Sequence, residues 1–182
     1  PNNKQVKTRK VKKKVAIVNV FFPPQSIGGA TRVVSDNFDI LQKQYGDDYE
    51  LVVFTSDERC TIPHKLDAYQ HQGVTVYRSS ILFRENMDWH PKDEKMYDLF
   101  DEFLTLENPD LVHFHCVQRL TASIVEATKD KKIPYIVTVH DAWWISDHQF
   151  LIDQNDNVYP DGHPDMFAPR VLPNNVSLSD SI

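Results

Sequence analysis

The sequence predicts an α/β fold in which a parallel β-sheet is covered by helices on both faces. Short apolar runs alternate along the chain with longer segments of helical periodicity, as they do where helical crossovers join parallel strands. The apolar runs are almost continuous, which is typical of strands buried on both faces. The first run leads through a pair of glycines into a helical segment. A C-terminal extension with a hairpin and loops is predicted after the last strand.

Length and composition indicate one globular domain. The 182 residues suffice for a sizeable core, and the apolar runs are too short to cross a membrane. Cys60 and Cys116 have the spacing of neither a disulfide framework nor a metal site, which favours a reducing compartment and a cytoplasmic location. No secretory signal pattern is evident. Because the chain begins at Pro1 and ends in a polar tail, we expect it to be a piece of a longer protein.

Residues 1–14 form a basic arm, which is predicted to be a solvated linker. An arm of this kind is alternatively suited to anionic lipid, and it would then place the protein at the inner face of a membrane. The whole chain has a net charge of −6, so the rest of it is acidic, which argues against nucleic acid as a partner. The basic residues of the arm are Lys4, Lys7, Arg9, Lys10, Lys12, Lys13 and Lys14.

Residues 15–22 are predicted to form the first strand, in which Asn19 is the one polar residue. Two prolines end the strand, because proline cannot donate to a β-ladder. Gly28 and Gly29 then let a ligand approach the start of the next helix, where free amides and the helix dipole attract anions. The glycine pair alternatively serves the turn alone. Its spacing matches neither the dinucleotide-binding fingerprint nor a P-loop.

The helix after the glycines is predicted to end at Gly46. One face of it is predicted to be buried and consists of Val34, Phe38, Leu41 and Tyr45. Residues 50–55 and 74–78 are predicted to be the second and third strands. Residues 57–72 are interpreted as a loop, and residues 79–91 have no clear period.

The second half of the chain repeats this alternation. A helix is predicted from Lys92 to the residues before Asn108, with an apolar stripe formed by Met96, Leu99, Phe100, Phe103 and Leu104. Residues 111–116 are predicted to be a strand, residues 121–129 a helix, and residues 133–139 a further strand. Together these elements predict a Rossmann-like domain over residues 15–167.

The alternation ends beyond His140. Residues 155–157 are predicted to form the turn of a β-hairpin. The same region imitates a calcium-binding loop, but Val158 and Pro164 stand where that loop needs glycine and glutamate, so we reject calcium. Residues 168–182 are predicted to be a flexible tail.

Polar residues are predicted to gather where the strands end, which is where open parallel sheets bind ligands. Gly28–Gly29, His113 with His115, and His140–Asp141 all reach that edge. Histidines two residues apart share one face of a strand, so zinc bound with His140 or Asp141 is one interpretation. Hydrogen-bonded packing or contact with a polar substrate is favoured over zinc. His140 suits a hydroxyl or a phosphate, and Asp141 can fix its tautomer.

Trp143 and Trp144 follow this edge directly. Two interpretations stay open for them. The indoles either form an apolar platform for a sugar ring or a lipid, or pack as a lid over the core.

Three segments resemble glycosyltransferase family 4 enzymes with the GT-B fold, over the range from Lys14 to Asp161. They are IGGATRVV, PDLVHFHC and IPYIVTVHDAWWISDHQFLID. The resemblance implies the N-terminal, acceptor-side domain of a hexosyltransferase whose second Rossmann-like domain binds a nucleotide-sugar donor. It also implies retention at the anomeric carbon, no cofactor and no essential metal ion. Such a transfer passes through an oxocarbenium-like state while the departing diphosphate gains charge.

The resemblance also assigns roles to individual residues. Gly28 and Gly29 match the glycine turn that approaches the donor diphosphate or the transferred sugar. His140 matches the catalytic histidine near the reacting centre. The residues assigned to acceptor binding are Asp141, Trp143, Trp144, His115 and Arg32.

Two departures from the family pattern bear on function. Ser146 and Asp147 stand where some relatives have Cys-Pro. We expect the donor-binding domain, with its E-x7-E motif, to be absent from this chain, and we expect the chain alone to be inactive. A non-catalytic Rossmann-like module that binds an anion or a partner is the alternative. A hydrolase or epimerase that uses His140 and Asp141 ranks last, because no convincing nucleophile is present.

Overall fold

The computed structural model describes residues 11–25, 28–85, 87–144, 150, 151 and 158. The strands in this part of the chain are β1 (Lys13–Val18), β2 (Tyr49–Asp57), β3 (Leu66–His71), β4 (Val74–Ser80), β5 (Leu111–Phe114) and β6 (Tyr135–Val137). The α-helices are α1 (Gly28–Tyr45), α2 (Glu94–Glu107) and α3 (Ser123–Asp130). Short 3₁₀ turns cover Met87–Trp89 and Ala142–Trp144.

The six strands form one sheet in the order β3-β4-β2-β1-β5-β6. β4, β2, β1, β5 and β6 run parallel, and β3 pairs antiparallel with β4 at one edge. The predicted Rossmann-like α/β fold is therefore confirmed, with one antiparallel strand added. Since β1, β5 and β6 are neighbours, the segments that follow them meet at one edge of the sheet.

The antiparallel strand β3 lies within residues 57–72, so the prediction of a loop there is wrong. β3 is a polar edge strand with half of its residues exposed, and it lacks the clean apolar alternation that marks a strand in a sequence. The missed signal is the turn after it. Gln72 and Gly73 have φ angles of 50° and 81°, the left-handed pair that a two-residue hairpin requires.

Side chains of the central strands alternate between two cores, one on each face of the sheet. The core under α1 consists of Val15, Ile17, Phe22, Val34, Phe38, Leu51, Val53 and Val76. The core under α2 and α3 is larger and has a centre of aromatic rings from Phe54, Phe100, Phe103 and Phe114. Helices on both faces were predicted, and the two cores confirm them.

Helix α1 follows the predicted face and stop, with one exception. Val34 and Phe38 are buried, and Leu41 packs at the edge of the core. A Cβ atom at Gly46 would lie 2.5 Å from the carbonyl oxygen of Gln42, which explains why glycine follows the helix. Tyr45 is exposed rather than buried, because it is the last residue of the helix and lies beyond the core.

Helix α2 is defined by caps at both ends. The carboxylate of Asp93 accepts a hydrogen bond of 3.2 Å from the backbone N–H of Met96. Asn108 adopts a left-handed conformation with φ of 44°, and its N–H donates to Leu104. Both are standard capping arrangements. The helix therefore starts two residues after the predicted position and ends where predicted.

The predicted bounds of β1 and of β6 are wrong. β1 begins at Lys13, inside the predicted arm, and ends at Val18 rather than at residue 22. Beyond Val18 the backbone still bonds to both neighbours, but at the single residues Asn19 and Val20. β6 spans three residues at the edge of the sheet, and Ile136 in it is exposed. The apolar run at residues 133–139 predicted a buried strand. Because β6 lies at the edge of the sheet, its side chains are left partly exposed.

The predicted hairpin at 155–157, the tail 168–182 and most of the basic arm lie outside the described residues. The end of the arm is part of β1. Lys13 pairs with Asp110 at 2.7 Å, and Lys14 pairs with Glu107 at 3.0 Å. Among the described helices, none is long and apolar enough to cross a membrane.

Phe100→Ala is expected to lower the free energy of unfolding by about 3–5 kcal/mol, because the truncated side chain leaves a cavity in a close-packed core. Phe100 is fully buried, and the centroid of its ring lies 4.9 Å from the ring centroid of Phe54. Urea unfolding measures the loss. The matched control is Leu106→Ala on the same helix, which is 70% exposed and should change stability by less than about 0.5 kcal/mol. Equal losses in the two variants would contradict this packing of α2.

Candidate functional site

A cavity of about 620 Å³ lies at the edge of the sheet where the parallel strands end. The segments after β1, β5 and β6 contribute to it, together with the first turn of α1. Polar groups in its wall belong to Asp88, Gln118, Arg119, His140 and Asp141. Gly28 and Gly29 line the same cavity. The position agrees with the general rule that ligands of open α/β sheets bind outside the carboxyl ends of the strands.

The fully buried side chain of Asn19 joins two of these segments. Its Oδ1 accepts a hydrogen bond of 3.0 Å from the backbone N–H of Cys116, and its Nδ2 donates to the carbonyl of Phe21 at 2.6 Å. The backbone N–H of Val20 donates to the carbonyl of Cys116 at 2.7 Å. The polar residue in the first apolar run is therefore a fixed connection between the loops after β1 and β5.

Gly28 and Gly29 form the start of α1, the longest helix in the described part of the chain. Gly28 has a φ angle of 79°, a left-handed conformation that favours glycine. No atom lies within 4 Å of the place where a Cβ would stand at either glycine, so the backbone is open to a ligand. The first turn carries no acidic residue. The positive end of the helix dipole therefore faces the cavity without a carboxylate of the same turn to offset it.

Three histidines stack from the interior of the sheet towards the cavity. The rings of His113 and His115 lie on one face of β5 and its extension, with their centroids 4.1 Å apart. A hydrogen bond of 3.0 Å joins Nδ1 of His115 and Nε2 of His140. His113 is held in turn by the hydroxyl of Thr138, 2.8 Å from its Nε2. The prediction that the two histidines of HFHC share a face is confirmed.

Burial favours the neutral form of all three histidines. It lowers the pKa of His115 from its ordinary 6.5 to about 3, and the neighbouring histidines add to the effect. Burial also lowers the pKa of His113, with a further contribution from His140. The pKa of His140 is lowered by burial as well, and the charge of Asp141 partly opposes this. At neutral pH the imidazole that lines the cavity is therefore uncharged.

The carboxylate of Asp141 is oriented by two donors. Its Oδ2 accepts from Nε2 of Gln118 at 3.0 Å, and its Oδ1 accepts from the backbone N–H of Trp143 at 3.0 Å. Nearby Cys116 is buried, and desolvation together with the charge of Asp141 raises the pKa of its thiol to about 12. A thiol in this state is a poor nucleophile.

Four residues of the predicted acceptor set do not line the cavity. Trp143 and Trp144 are buried in the core under α2 and α3, and Nε1 of Trp143 donates to the carbonyl of Asp88 at 2.6 Å. Their position corrects the platform interpretation in favour of the packed one. Arg32 lies exposed on α1, on a side of the helix that does not face the cavity. His115 is 1% exposed and reaches the cavity only through His140.

Sequence analysis missed a charged group in the cavity wall. Arg119 forms ion pairs with Glu58 and with Asp88, the latter at 2.7 Å, and its guanidinium lies 5.5 Å from the ring centroid of Phe21. Burial raises the pKa of Asp88. Gln118 and Arg119 follow the end of β5. Their position after a predicted strand could therefore have identified them as candidate residues of the cavity. Asp88 comes from residues 79–91, where no periodicity gave a signal.

The zinc interpretation finds no ligand set in the described residues. No group of three or more His, Cys, Asp or Glu side chains there is arranged to hold a metal ion. His115 and His140 are joined directly to each other by their hydrogen bond.

The sequence matches a known protein family. The family described as glycosyl transferase 4-like domain matches residues 28–168, more than half of the sequence. The chain belongs to this family. The match includes both glycines, the three stacked histidines and Asp141, whereas the cavity residues Asn19, Val20 and Phe21 precede it.

A solved structure supports the fold of this glycosyl transferase 4-like domain. Sucrose-phosphate synthase from Thermosynechococcus elongatus matches with a TM-score of 0.51 and 16% sequence identity. The match covers 71% of this chain and 33% of that chain, so the domain corresponds to about a third of the length of that protein. At this identity the likeness concerns the fold alone. No curated protein matches the sequence significantly.

Acidification is expected to destabilise the domain through its buried histidines. The pKa of His115 is about 3 in the folded state against 6.5 ordinarily. Between these values the unfolded chain binds more protons, so this contribution is fully present above pH 6.5 and is lost as the pH falls towards 3. The wild type should therefore lose about 2 kcal/mol more than His115→Phe between pH 7.5 and pH 5. Urea unfolding at both pH values measures the difference, and parallel losses would contradict a neutral, buried His115.

Proposed function

We propose that this domain is the acceptor-side half of a retaining glycosyltransferase that moves a sugar from a nucleotide-sugar donor to an acceptor. One observation carries the proposal. Gly28–Gly29 and His140 are more than a hundred residues apart in sequence, yet they line one cavity at the carboxyl edge of the sheet. Membership of the glycosyl transferase 4-like domain family gives that cavity its chemical context.

The glycine end of the cavity suits the donor diphosphate. The bond between sugar and diphosphate breaks with negative charge growing on the departing group. Backbone amides and the dipole of an 18-residue helix are oriented in advance to stabilise such charge. The absence of side chains at Gly28 and Gly29 allows the phosphate oxygens to reach those amides.

The neutral imidazole of His140 suits the place beside the transferred sugar. The anomeric centre carries positive charge in an oxocarbenium-like transition state. A protonated imidazole would repel that charge, and burial favours the uncharged ring. A neutral His140 can hydrogen-bond a sugar hydroxyl while adding no repulsion at the reacting centre.

The remaining polar residues that line the cavity suit the acceptor. Asp141 is held by Gln118 and by the backbone of Trp143, so it presents a fixed carboxylate next to His140. Asp88 and Arg119 extend this polar wall. A hydroxyl-bearing acceptor finds donors and acceptors there at fixed positions, which is what orients a substrate for attack.

The complete reaction requires a second domain in this proposal. The family resemblance places the donor nucleotide mainly on a second Rossmann-like domain, which has an E-x7-E motif. The chain covers only a third of sucrose-phosphate synthase, which supports a whole protein longer than this domain. We therefore infer that the isolated chain does not transfer sugar, and that activity belongs to the whole protein without an essential metal ion.

His140→Ala in the whole protein is expected to lower kcat for sugar transfer by at least about 100-fold, because a group at the reacting centre is lost. The fold should remain, since His140 is only partly buried. Product formation from a radiolabelled nucleotide sugar measures the rate, and circular dichroism measures folding. His90→Ala, a histidine outside the cavity, is the control and should retain wild-type kcat. Near-normal kcat in His140→Ala would remove the histidine from the proposed mechanism.

Gly29→Ala is expected to raise KM for the nucleotide sugar about tenfold or more without loss of stability. The new Cβ meets no protein atom, since nothing lies within 4 Å of its position, but it occupies the space proposed for the diphosphate. Initial rates at varied donor concentration in the whole protein give KM, and thermal unfolding gives stability. Asn37→Ala, exposed on the same helix, is the matched control. An unchanged donor KM in Gly29→Ala would place the diphosphate elsewhere.

A further inference from the structure

The hydrogen bond from His115 determines which nitrogen of His140 is available to a substrate. Nε2 of His140 lies 3.0 Å from Nδ1 of His115 and is committed to it. Nδ1 of His140 has no hydrogen-bond partner among the described residues. Two neutral imidazoles share one hydrogen bond only when one of them donates its N–H and the other accepts, so the pair couples the two tautomers.

His115 is itself held rigidly and cannot serve the substrate directly. It is 1% exposed, does not line the cavity and stacks on His113 with 4.1 Å between ring centroids. His113 is fixed by the hydroxyl of Thr138, and the backbone N–H of Thr138 donates to the carbonyl of Phe114 at 2.9 Å. The pairing of β5 with β6 therefore determines where the His115 ring stands.

We propose that His115 is a positioning residue for His140: it binds Nε2, fixes the plane of the ring, couples the tautomer of that ring to its own, and leaves Nδ1 as the atom that meets the sugar. The family resemblance assigned His115 to acceptor binding, and the geometry points instead to a role through His140. The ring plane matters because a hydrogen bond to a sugar hydroxyl is directional. A rotation of the His140 ring about its χ angles would move Nδ1 away from the reacting centre. The consequence for catalysis rests on the proposed function of the cavity.

Nuclear magnetic resonance of the ¹⁵N-labelled chain tests the positioning contact without an assay of activity. A direct N–H···N bond transmits a scalar coupling between its two nitrogens. We expect such a coupling between Nδ1 of His115 and Nε2 of His140 in the wild type. It should be lost in His115→Phe, which keeps a ring in place, and kept in His113→Phe, which removes the neighbouring histidine. Absence of the coupling in the folded wild type at neutral pH would overturn the proposal.

Kinetics of the whole protein test the consequence. His115→Phe should lower kcat by about tenfold or more and change the KM values of donor and acceptor less than threefold, because the substrates do not touch His115. His115→Asn places an amide nitrogen close to the position of Nδ1 and should restore at least a third of wild-type kcat. If His115→Phe does not fold, the wild-type coupling and the rate of His115→Asn decide. Wild-type kcat in folded His115→Phe overturns the positioning role, whereas a detected coupling in a whole protein that transfers no sugar refutes the proposed function alone.

Discussion

The parallel pairing of β1 with β5 is the constraint on which the cavity depends. The register runs from Val15 opposite Leu111 to Val18 opposite Phe114, so the two strands end side by side. Asn19 then binds the backbone of Cys116 directly beyond the last pair. A slip of one residue would turn every side chain of β5 to the opposite face of the sheet. His113 and His115 would then enter the aromatic core, and His140 would lose its partner.

Burial of His113, His115 and His140 has an electrostatic consequence for the edge of the sheet where the cavity lies. A charged imidazole at these buried positions would lose its hydration, and for His140 this cost exceeds the opposing effect of Asp141, so the neutral forms dominate at physiological pH. Asp141 lies close enough to raise the pKa of His140, but Gln118 and the backbone of Trp143 already bind its oxygens. The site therefore combines an uncharged imidazole with a separately oriented carboxylate. In an ion pair between the two groups, the imidazole would be charged and the carboxylate would be oriented by the imidazole instead.

The sequence predicted those features that follow from long apolar runs and helical periodicity. The buried runs at β1, β2, β4 and β5, and the stripe of α2, contain enough residues of one kind to specify their elements. β3 was missed because a polar edge strand has no such pattern. Trp143 shows a different limit of sequence analysis. A tryptophan that follows a strand gives the same sequence pattern whether its indole packs in the core or contacts a ligand. Arg119 and Asp88 come into contact only in the folded chain, so no local sequence pattern predicts their ion pair.

Groups of opposite polarity line the cavity. The guanidinium of Arg119 is compensated by Glu58 and Asp88, so the amides at the start of α1 are the uncompensated positive group among the described lining residues. Negative charge that develops in the cavity is therefore stabilised at Gly28–Gly29 rather than at Arg119. The carboxylates of Asp88 and Asp141 line the same cavity, together with His140. In the proposed function, the departing diphosphate therefore binds at the start of the helix and the hydroxyl-bearing acceptor binds at the carboxylates.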